Sequence, residues 1–509
     1  MARPGDRSVV LHWDARPAPA QYFVFREVAP AGAAVRLTAK PLVEPRFADF
    51  RVTNGVTYRY RVGVVPDPSG AEASDPLPQA TTLAQEPSVA ATPRPFANAN
   101  DAEFLELLQA TAFDYFWCEA NSTNGLVKDR STPDSFCSIA ATGFGLTALG
   151  IGIDHGWITR EQGRQRTLTT LRTFWKAQQS EAAAGAIGYR GWFYHFLDMR
   201  TAVRFKQVEL SSIDTAWFLA GALYAREYFD GDEADERRIR ELADALVNRV
   251  DWRWMANGGD TLAMGWHPES GFIASRWVGY NEAMFLYILA LGARRGALGP
   301  EAWEAWTRGY HWQTHYGQSY VVFAPLFGHQ YSHCWIDFRG LADAFLRGQG
   351  LDYFENSRRA TLANRAYCIA NPKSWRGYGP ECWGLTACDG PGFAPYQGYM
   401  ARGAPPPEND DGTLAPTAAG GSLPFAPAEC LAALRHLYGA HREQLWTPYG
   451  FRDAFNLTAD WWDPDVLGID QGPILLMAEN YRTGRVWQRM MRNEIIRRGL
   501  ERAGFKPVR

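Results

Sequence analysis

Ala140-Ala141-Thr142-Gly143-Phe144-Gly145-Leu146 and Glu282-Ala283-Met284-Phe285-Leu286-Tyr287-Ile288 are the stretches that decide how this chain folds. After the opening Glu282 neither carries a charge, and residues that a helix spreads over all of its faces are small or apolar. A helix that is apolar all round is a buried helix. The same composition recurs in helices expected to start near Ser138, Ser211, Asn281, Cys334, Pro427 and Gly468. Between them lie amphipathic segments such as 233–249, with Ala234-Asp235-Glu236-Arg237-Arg238, that suit an outer layer.

Worked outward from there, the pattern predicts twelve helices after Asn100: 101–118, 137–153, 160–178, 210–229, 233–249, 279–294, 300–315, 334–348, 352–370, 425–440, 467–483 and 484–503. Twelve helices make six hairpins, and six hairpins can close into an (α/α)6 toroid. The expected fold class is therefore mainly α, an (α/α)6 toroid preceded by a small β-sandwich.

Residues 7 to 85 read as β. Val9-Val10-Leu11-His12-Trp13 and Tyr22-Phe23-Val24-Phe25-Arg26 open strands, Thr53-Asn54-Gly55 is a turn, and Tyr58-Arg59-Tyr60-Arg61-Val62 alternates strictly. The early Trp and the late Gly-x-x-Tyr-x-Tyr-x-Val resemble a fibronectin type III module. The expected organisation is 1–85 β-sandwich, 86–100 linker rich in Pro, Ala and Thr, and 101–509 helical domain.

Composition removes several classes of function. Net charge is -3 over 509 residues with no basic run, so neither nucleic acid nor a membrane surface is an expected partner. No apolar stretch reaches the length of a membrane helix. A monomer or weak oligomer is expected. The first residues show no apolar leader, which predicts a cytoplasmic location, or a periplasmic or secreted one if a leader has been removed. The seven cysteines show no C-x-x-C pairing, and buried thiols are expected, with Cys382 and Cys388 close enough for a loop disulfide. No dinucleotide, P-loop or G-x-S-x-G motif occurs, so no cofactor is expected. Nor is a metal: His329 and His333 are an i, i+4 pair in a loop, and a structural Ca2+ has no evident ligand cluster.

What remains is carboxylates and aromatics. The helices expected to be buried are preceded or opened by Asp134, Glu209, Asp214, Glu282, Asp337, Glu429 and Asp470. In an alternating toroid such helices run parallel, so these acids would meet at one end. Each is also an ordinary capping residue for a helix N-terminus. Several acids on otherwise uncharged helices argue for a bound ligand. Paired carboxylates are what glycosidic hydrolysis needs: one to protonate the leaving oxygen, one to activate water. Long segments before the helices carry Tyr194, Trp277, Tyr331, Trp375 and Trp383, flat faces on which sugar rings stack, although aromatics also fill cores.

Five motifs sharpen this: Gly191-Trp192-Phe193-Tyr194-His195-Phe196-Leu197-Asp198, Glu209-Leu210-Ser211-Ser212-Ile213-Asp214-Thr215, Gly279-Tyr280-Asn281-Glu282-Ala283-Met284, Tyr331-Ser332-His333-Cys334-Trp335-Ile336-Asp337, and Gly468-Ile469-Asp470-Gln471-Gly472-Pro473 leading to Glu479-Asn480-Tyr481-Arg482-Thr483-Gly484. In this order they resemble the bacterial glucoamylase-like family that includes the endo-β-1,2-glucanases of glycoside hydrolase family 144. The resemblance covers residues 100 to 505. It implies an (α/α)6 fold and inverting hydrolysis of β-glucan, best documented for β-1,2 linkages. It also implies Glu282 as general acid, Asp470 as base, and sugar contacts from Asp214, Asp337, Glu381, Arg376 and Trp375. The alternatives are a transglycosylase on linear or cyclic β-glucan and a non-catalytic glycan-binding protein.

Overall fold

A computed structural model describes residues 1–13, 21–42, 45–65, 84–85, 88–392 and 398–508. The chain divides into two compact units, Met1–Leu107 and Leu108–Arg509.

The first unit contains strands β1 (Ala2–Gly5), β2 (Ser8–His12), β3 (Gln21–Val28), β4 (Val35–Arg36), β5 (Arg46–Asp49), β6 (Tyr58–Val65), β7 (Ala84–Gln85) and β8 (Val89–Ala91). One antiparallel sheet has the order β1-β2-β5, and a second has the order β4-β3-β6-β7, with β8 also on β6. Alternation in β6 works as its pattern implies. Tyr58 and Tyr60 join Val9, Leu11 and Val24 in a buried cluster. Arg59 and Arg61 point the other way and share Glu27 at 2.9 and 2.7 Å. The linker expected over 86–100 lies partly outside the described residues. Of its remainder, Val89–Ala91 is a strand rather than a linker, because Tyr58, Arg59 and Tyr60 offer it a pairing edge.

The second unit is helix-rich. Its helices are α1 (Asp101–Cys118, crossing the division), α2 (Ile139–Asp154), α3 (Arg160–Lys176), α4 (Ser212–Tyr228), α5 (Ala234–Arg249) and α6 (Trp252–Ala256). Then follow α7 (Met284–Gly292), α8 (Glu301–Thr307), α9 (Ala344–Gly348), α10 (Tyr353–Ala370) and α11 (Pro416–Gly420). The last are α12 (Pro427–Leu445), α13 (Gly468–Arg482), α14 (Arg485–Met490) and α15 (Glu494–Arg502). Helix α2 is buried from Ile139 to Gly152, and α7 along its whole length. Glycine makes this possible. A Cβ on Gly143 would stand 2.2 Å from the Trp217 carbonyl oxygen, and one on Gly221 would stand 2.1 Å from the Gly143 carbonyl oxygen. Helices α2 and α4 therefore touch backbone to backbone, which no larger residue permits.

The structure corrects several boundaries. The helix expected at 300–315 ends at Thr307. Trp312–His315 instead pairs with Gln318–Val321 through Tyr316 and Gly317, both at positive φ, a conformation helices do not contain. The helix expected at 334–348 is mostly absent: Tyr331–Cys334 is a 3-10 turn, Gly340 has φ of 71°, and only Ala344–Gly348 is α-helical. The one expected at 279–294 starts at Met284, after the Asn281 side chain accepts the Ala283 N–H. Helix α12, expected to be buried, is amphipathic, while the short α11 just before it is wholly buried. Residues between helices also form a small antiparallel sheet, with no alternation long enough to announce it. It joins Gly188–Tyr189, Trp192–Tyr194, Leu210–Ser211, Gly265–His267 and Gly271–Phe272.

Candidate active site

The first turns of α2, α4 and α13, and the residue two before α7, face a common cavity of about 370 Å³. Ala140, Asp214 and Asp470 come from those turns and Glu282 from the approach to α7. Ser211 caps α4: its hydroxyl accepts the Asp214 N–H at 3.2 Å and donates to the Asp214 carboxylate. The short sheet delivers His195 and Glu209, and the segment before α7 delivers Trp277.

Glu282 is one of the carboxyl groups of this cavity. Burial, reinforced by the charge of Asp214, pushes its pKa up to about 8, while the Trp217 indole N–H pulls the other way. It is therefore protonated near neutral pH. Asp470 is 4% exposed, and its Oδ2 meets no donor among the described residues. Burial and the charges of Asp463, Asp389 and Asp129 push it upward, and a hydrogen bond with Asp453 favours its charged form.

His195 is the cation. Burial opposes its charge, but Asp214 and Glu209 outweigh burial and hold its pKa at about 9. Its Nδ1 is 2.9 Å from Glu209 and its Nε2 is 3.5 Å from Asp214. Glu209 responds in kind: against burial, the His195 hydrogen bond and charge depress it to about 2. Asp214 is raised by burial, with His195 and Ser211 pulling it down.

Aromatic rings build the walls. The Trp277 indole donates to Ser212 Oγ at 2.8 Å, and Tyr331 donates to the Ile469 carbonyl at 3.1 Å, next to Asp470. Tyr331 stands edge-on to Trp217 at 5.8 Å, and Trp217 stacks on Trp335 at 5.6 Å. Tyr399 is 55% exposed and also lines the cavity.

Of the expected site residues, Glu282, Asp470, Asp214, Trp277 and Tyr331 line this cavity, as does Glu209. The others stand away from its lining, each for a visible reason. Asp337 holds Arg339 at 2.6 Å. Glu381 has a largely exposed side chain 3.7 Å from His436. Arg376 is exposed and donates to the Leu457 carbonyl, and Trp375 packs against Gly412. Tyr194 and Trp383 are wholly buried, with the Arg204 guanidinium 4.7 Å from the Tyr194 ring. These two loop aromatics are core. Asp134 is exposed and Glu429 half-buried, neither in the cavity. His329 and His333 are both buried, which lowers their pKa values to about 3; His329 Nε2 is 3.2 Å from the Phe323 carbonyl oxygen and His333 Nε2 is 3.0 Å from Ser357 Oγ. Cys382 and Cys388 are buried thiols with no bond between them.

Sequence reasoning passed over Asp453, Tyr399 and Trp217, which line the cavity, and Asp389 and Asp463, which lie behind it. Asp453 and Asp463 sit in the segment 441–467, whose length before α13 was the available signal.

Residues 274–494 match the model of a family described as "Putative glucoamylase". The chain is 33% identical over 449 residues to the exo β-1,2-glucooligosaccharide sophorohydrolase (non-reducing end) of Parabacteroides distasonis. That match takes in 82% of this chain, which spans 59% of the length of the relative. A solved putative glucoamylase from Bacteroides uniformis is 34% identical with a TM-score of 0.73, covering 81% of this chain and 98% of that one. The endo-β-1,2-glucanase of Chitinophaga pinensis, solved with sophorotriose and glucose, is 30% identical with a TM-score of 0.72, covering 80% and 99%.

Proposed function

The chain belongs to the glucoamylase family so described, and on that premise we propose that it is a glycoside hydrolase cleaving β-1,2-glucan by an inverting, two-carboxylate mechanism. The observation that carries the reading is a cavity that holds two carboxyl groups, Glu282 and Asp470, both pushed up by burial, with a hydrogen bond from Asp453 favouring the charged form of Asp470. A carboxyl group of that kind is equipped to donate a proton to a glycosidic oxygen. The named activities of the sophorohydrolase and the endo-β-1,2-glucanase support the β-1,2 linkage.

In this reading Glu282 protonates the departing glycosidic oxygen. Asp470, as carboxylate, takes a proton from the water that attacks the anomeric carbon on the opposite face. The stereochemistry inverts, and proton exchange with solvent restores both groups. Asp214, held by His195 and Ser211, accepts sugar hydroxyls, and Trp277, Tyr331 and Tyr399 offer ring faces. The expected (α/α)6 arrangement is part of the proposal. Its support is that apolar α2, α4, α7 and α13 present their N-terminal ends to a common cavity while α3, α5 and α12 are amphipathic. The two antiparallel sheets of the first unit suit a fibronectin type III-like accessory module.

Incubation with linear β-1,2-glucan and its oligosaccharides tests the reading, with β-1,3- and β-1,4-glucans as controls. Cleavage of the β-1,2 substrate releasing first the α-anomer is expected. No cleavage of any β-glucan overturns it. A ladder of products identifies internal attack, and sophorose alone identifies attack from an end.

A further inference from the structure

Behind the wall that carries Asp470, acidic side chains crowd together with too little positive charge to match them. Asp389, Asp453 and Asp463 each bring one carboxylate oxygen within 4.8 Å of the other two. All three are 1% exposed. Asp453 Oδ2 accepts the Asp389 N–H, and Asp463 Oδ1 accepts the Asp465 N–H, both at 2.7 Å. The second oxygen of Asp463, Oδ2, meets no donor among the described residues, and Asp453 shares a hydrogen bond with Asp470.

The surroundings deepen the imbalance. Asp129, Asp465 and Asp470 are each 4% exposed. Among the described residues the cation ion-paired with this group is Arg130, which reaches Asp389 at 2.9 Å, Asp129 at 3.3 Å and Asp465 at 3.5 Å, with the charge of His195 also acting on Asp129. Arg402 is ion-paired with Asp411 at 2.7 Å and donates to the Cys388 and Asp389 backbone carbonyls, reaching Asp389 by charge but not its carboxylate by hydrogen bond. A buried carboxylate is expensive unless it is paired, protonated or bound to a metal.

We propose that Asp389, Asp453 and Asp463 hold a divalent cation, with Ca2+ preferred. The donors are all carboxylate oxygens, which select hard ions over Zn2+ or Cu2+. Ca2+ accepts several carboxylate oxygens at about 2.3–2.6 Å in flexible geometry, whereas Mg2+ demands a near-ideal octahedron and gives up its waters reluctantly. Asp389 directly follows the strand Ala387–Cys388, and Asp453 and Asp463 flank the paired strands Phe455–Asn456 and Trp461–Trp462. The ion would therefore tie these two segments together beside the cavity. Spacings of 64 and 10 residues form no ligand motif, so only the fold reveals the set.

The test is calorimetry on full-length protein dialysed against EGTA and then against metal-free buffer at pH 7.5. Titration with CaCl2 is expected to show one ion per chain, a raised melting temperature, and proton release measurable by comparing two buffers. Asp463→Asn and Asp389→Asn are each expected to weaken binding at least ten-fold, and MgCl2 to bind more weakly than CaCl2. No saturable heat and no change in melting temperature for the chelated wild type overturns the proposal, and shows that protons neutralise the cluster. An unchanged isotherm in both variants also overturns it, because the ion then binds elsewhere. Should a variant fail to fold, Tb3+ replaces it as probe in the wild type. Emission sensitised by the neighbouring Trp462 and displaced by Ca2+ is expected, and its absence overturns the site. None of these readouts uses catalysis, so they stand or fall apart from the hydrolase reading.

Discussion

The Nε2 atom of His195 lies 3.5 Å from Oδ2 of Asp214, and the same ring holds Glu209 through Nδ1 at 2.9 Å. One cation thus links two carboxylates of the cavity wall. It lets Asp214 sit against the protonated Glu282 without a net pile-up of negative charge.

That arrangement makes stability depend on pH. The pKa of His195 is raised from 6.5 to about 9, so its contribution is complete below pH 6.5 and is lost as pH rises through 9. Glu209 is lowered from 4.5 to about 2, so its contribution is complete above pH 4.5 and is lost as pH falls through 2. Glu209→Gln is expected to lower the melting temperature most between about pH 5 and 6.5. The gap from wild type should narrow toward pH 9 and toward pH 2. A gap constant across that range would show that the pair carries no linkage.

Glu282→Gln should lower kcat on β-1,2-glucan by about 10²- to 10⁴-fold, the usual worth of a general acid, with substrate binding retained. In the wild type, kcat/KM should fall as pH rises through about 8, because the acid must be protonated in the free enzyme. Initial rates across pH 5–10 check this, and an unimpaired Glu282→Gln variant would remove Glu282 from the mechanism.

Trp217→Phe removes the indole N–H that favours the Glu282 carboxylate. The pKa of Glu282 should then rise further, and the alkaline limb of the rate profile should move to higher pH. A limb that stays in place while stability drops would leave Trp217 a packing residue only.

Gly143→Ala places a methyl group 2.2 Å from the Trp217 carbonyl oxygen, so α2 and α4 must separate. The expected loss is about 1–3 kcal/mol, read as a lower denaturant midpoint at unchanged slope. Gly439→Ala, where a Cβ meets nothing within 4 Å, should be neutral or mildly stabilising and serves as the control.

Local chemistry was enough to read the helical class, the strand alternation of Tyr58-Arg59-Tyr60-Arg61-Val62, and the buried character of Ala140–Leu146 and Met284–Ile288. Each of these is a periodicity within one segment, and periodicity follows from the covalent geometry of a single element. Glu282 and Asp470 stood among seven carboxylates at the mouths of helices that otherwise reject charge, and only the resemblance to a known family singled them out. Three outcomes needed the tertiary structure. Tyr194 and Trp383 became core rather than binding surface, because burial of an aromatic depends on what packs against it and not on its being in a loop. The helix expected at 334–348 gave way to 3-10 turns and loop, since packing of Tyr331 and Trp335 against Trp217 overrode local helical preference. His195 with Asp214 and Glu209, and Asp389 with Asp453 and Asp463, met across long stretches of chain. Their pKa values and ligand geometry depend on distances of a few ångströms, and only the folded backbone sets those.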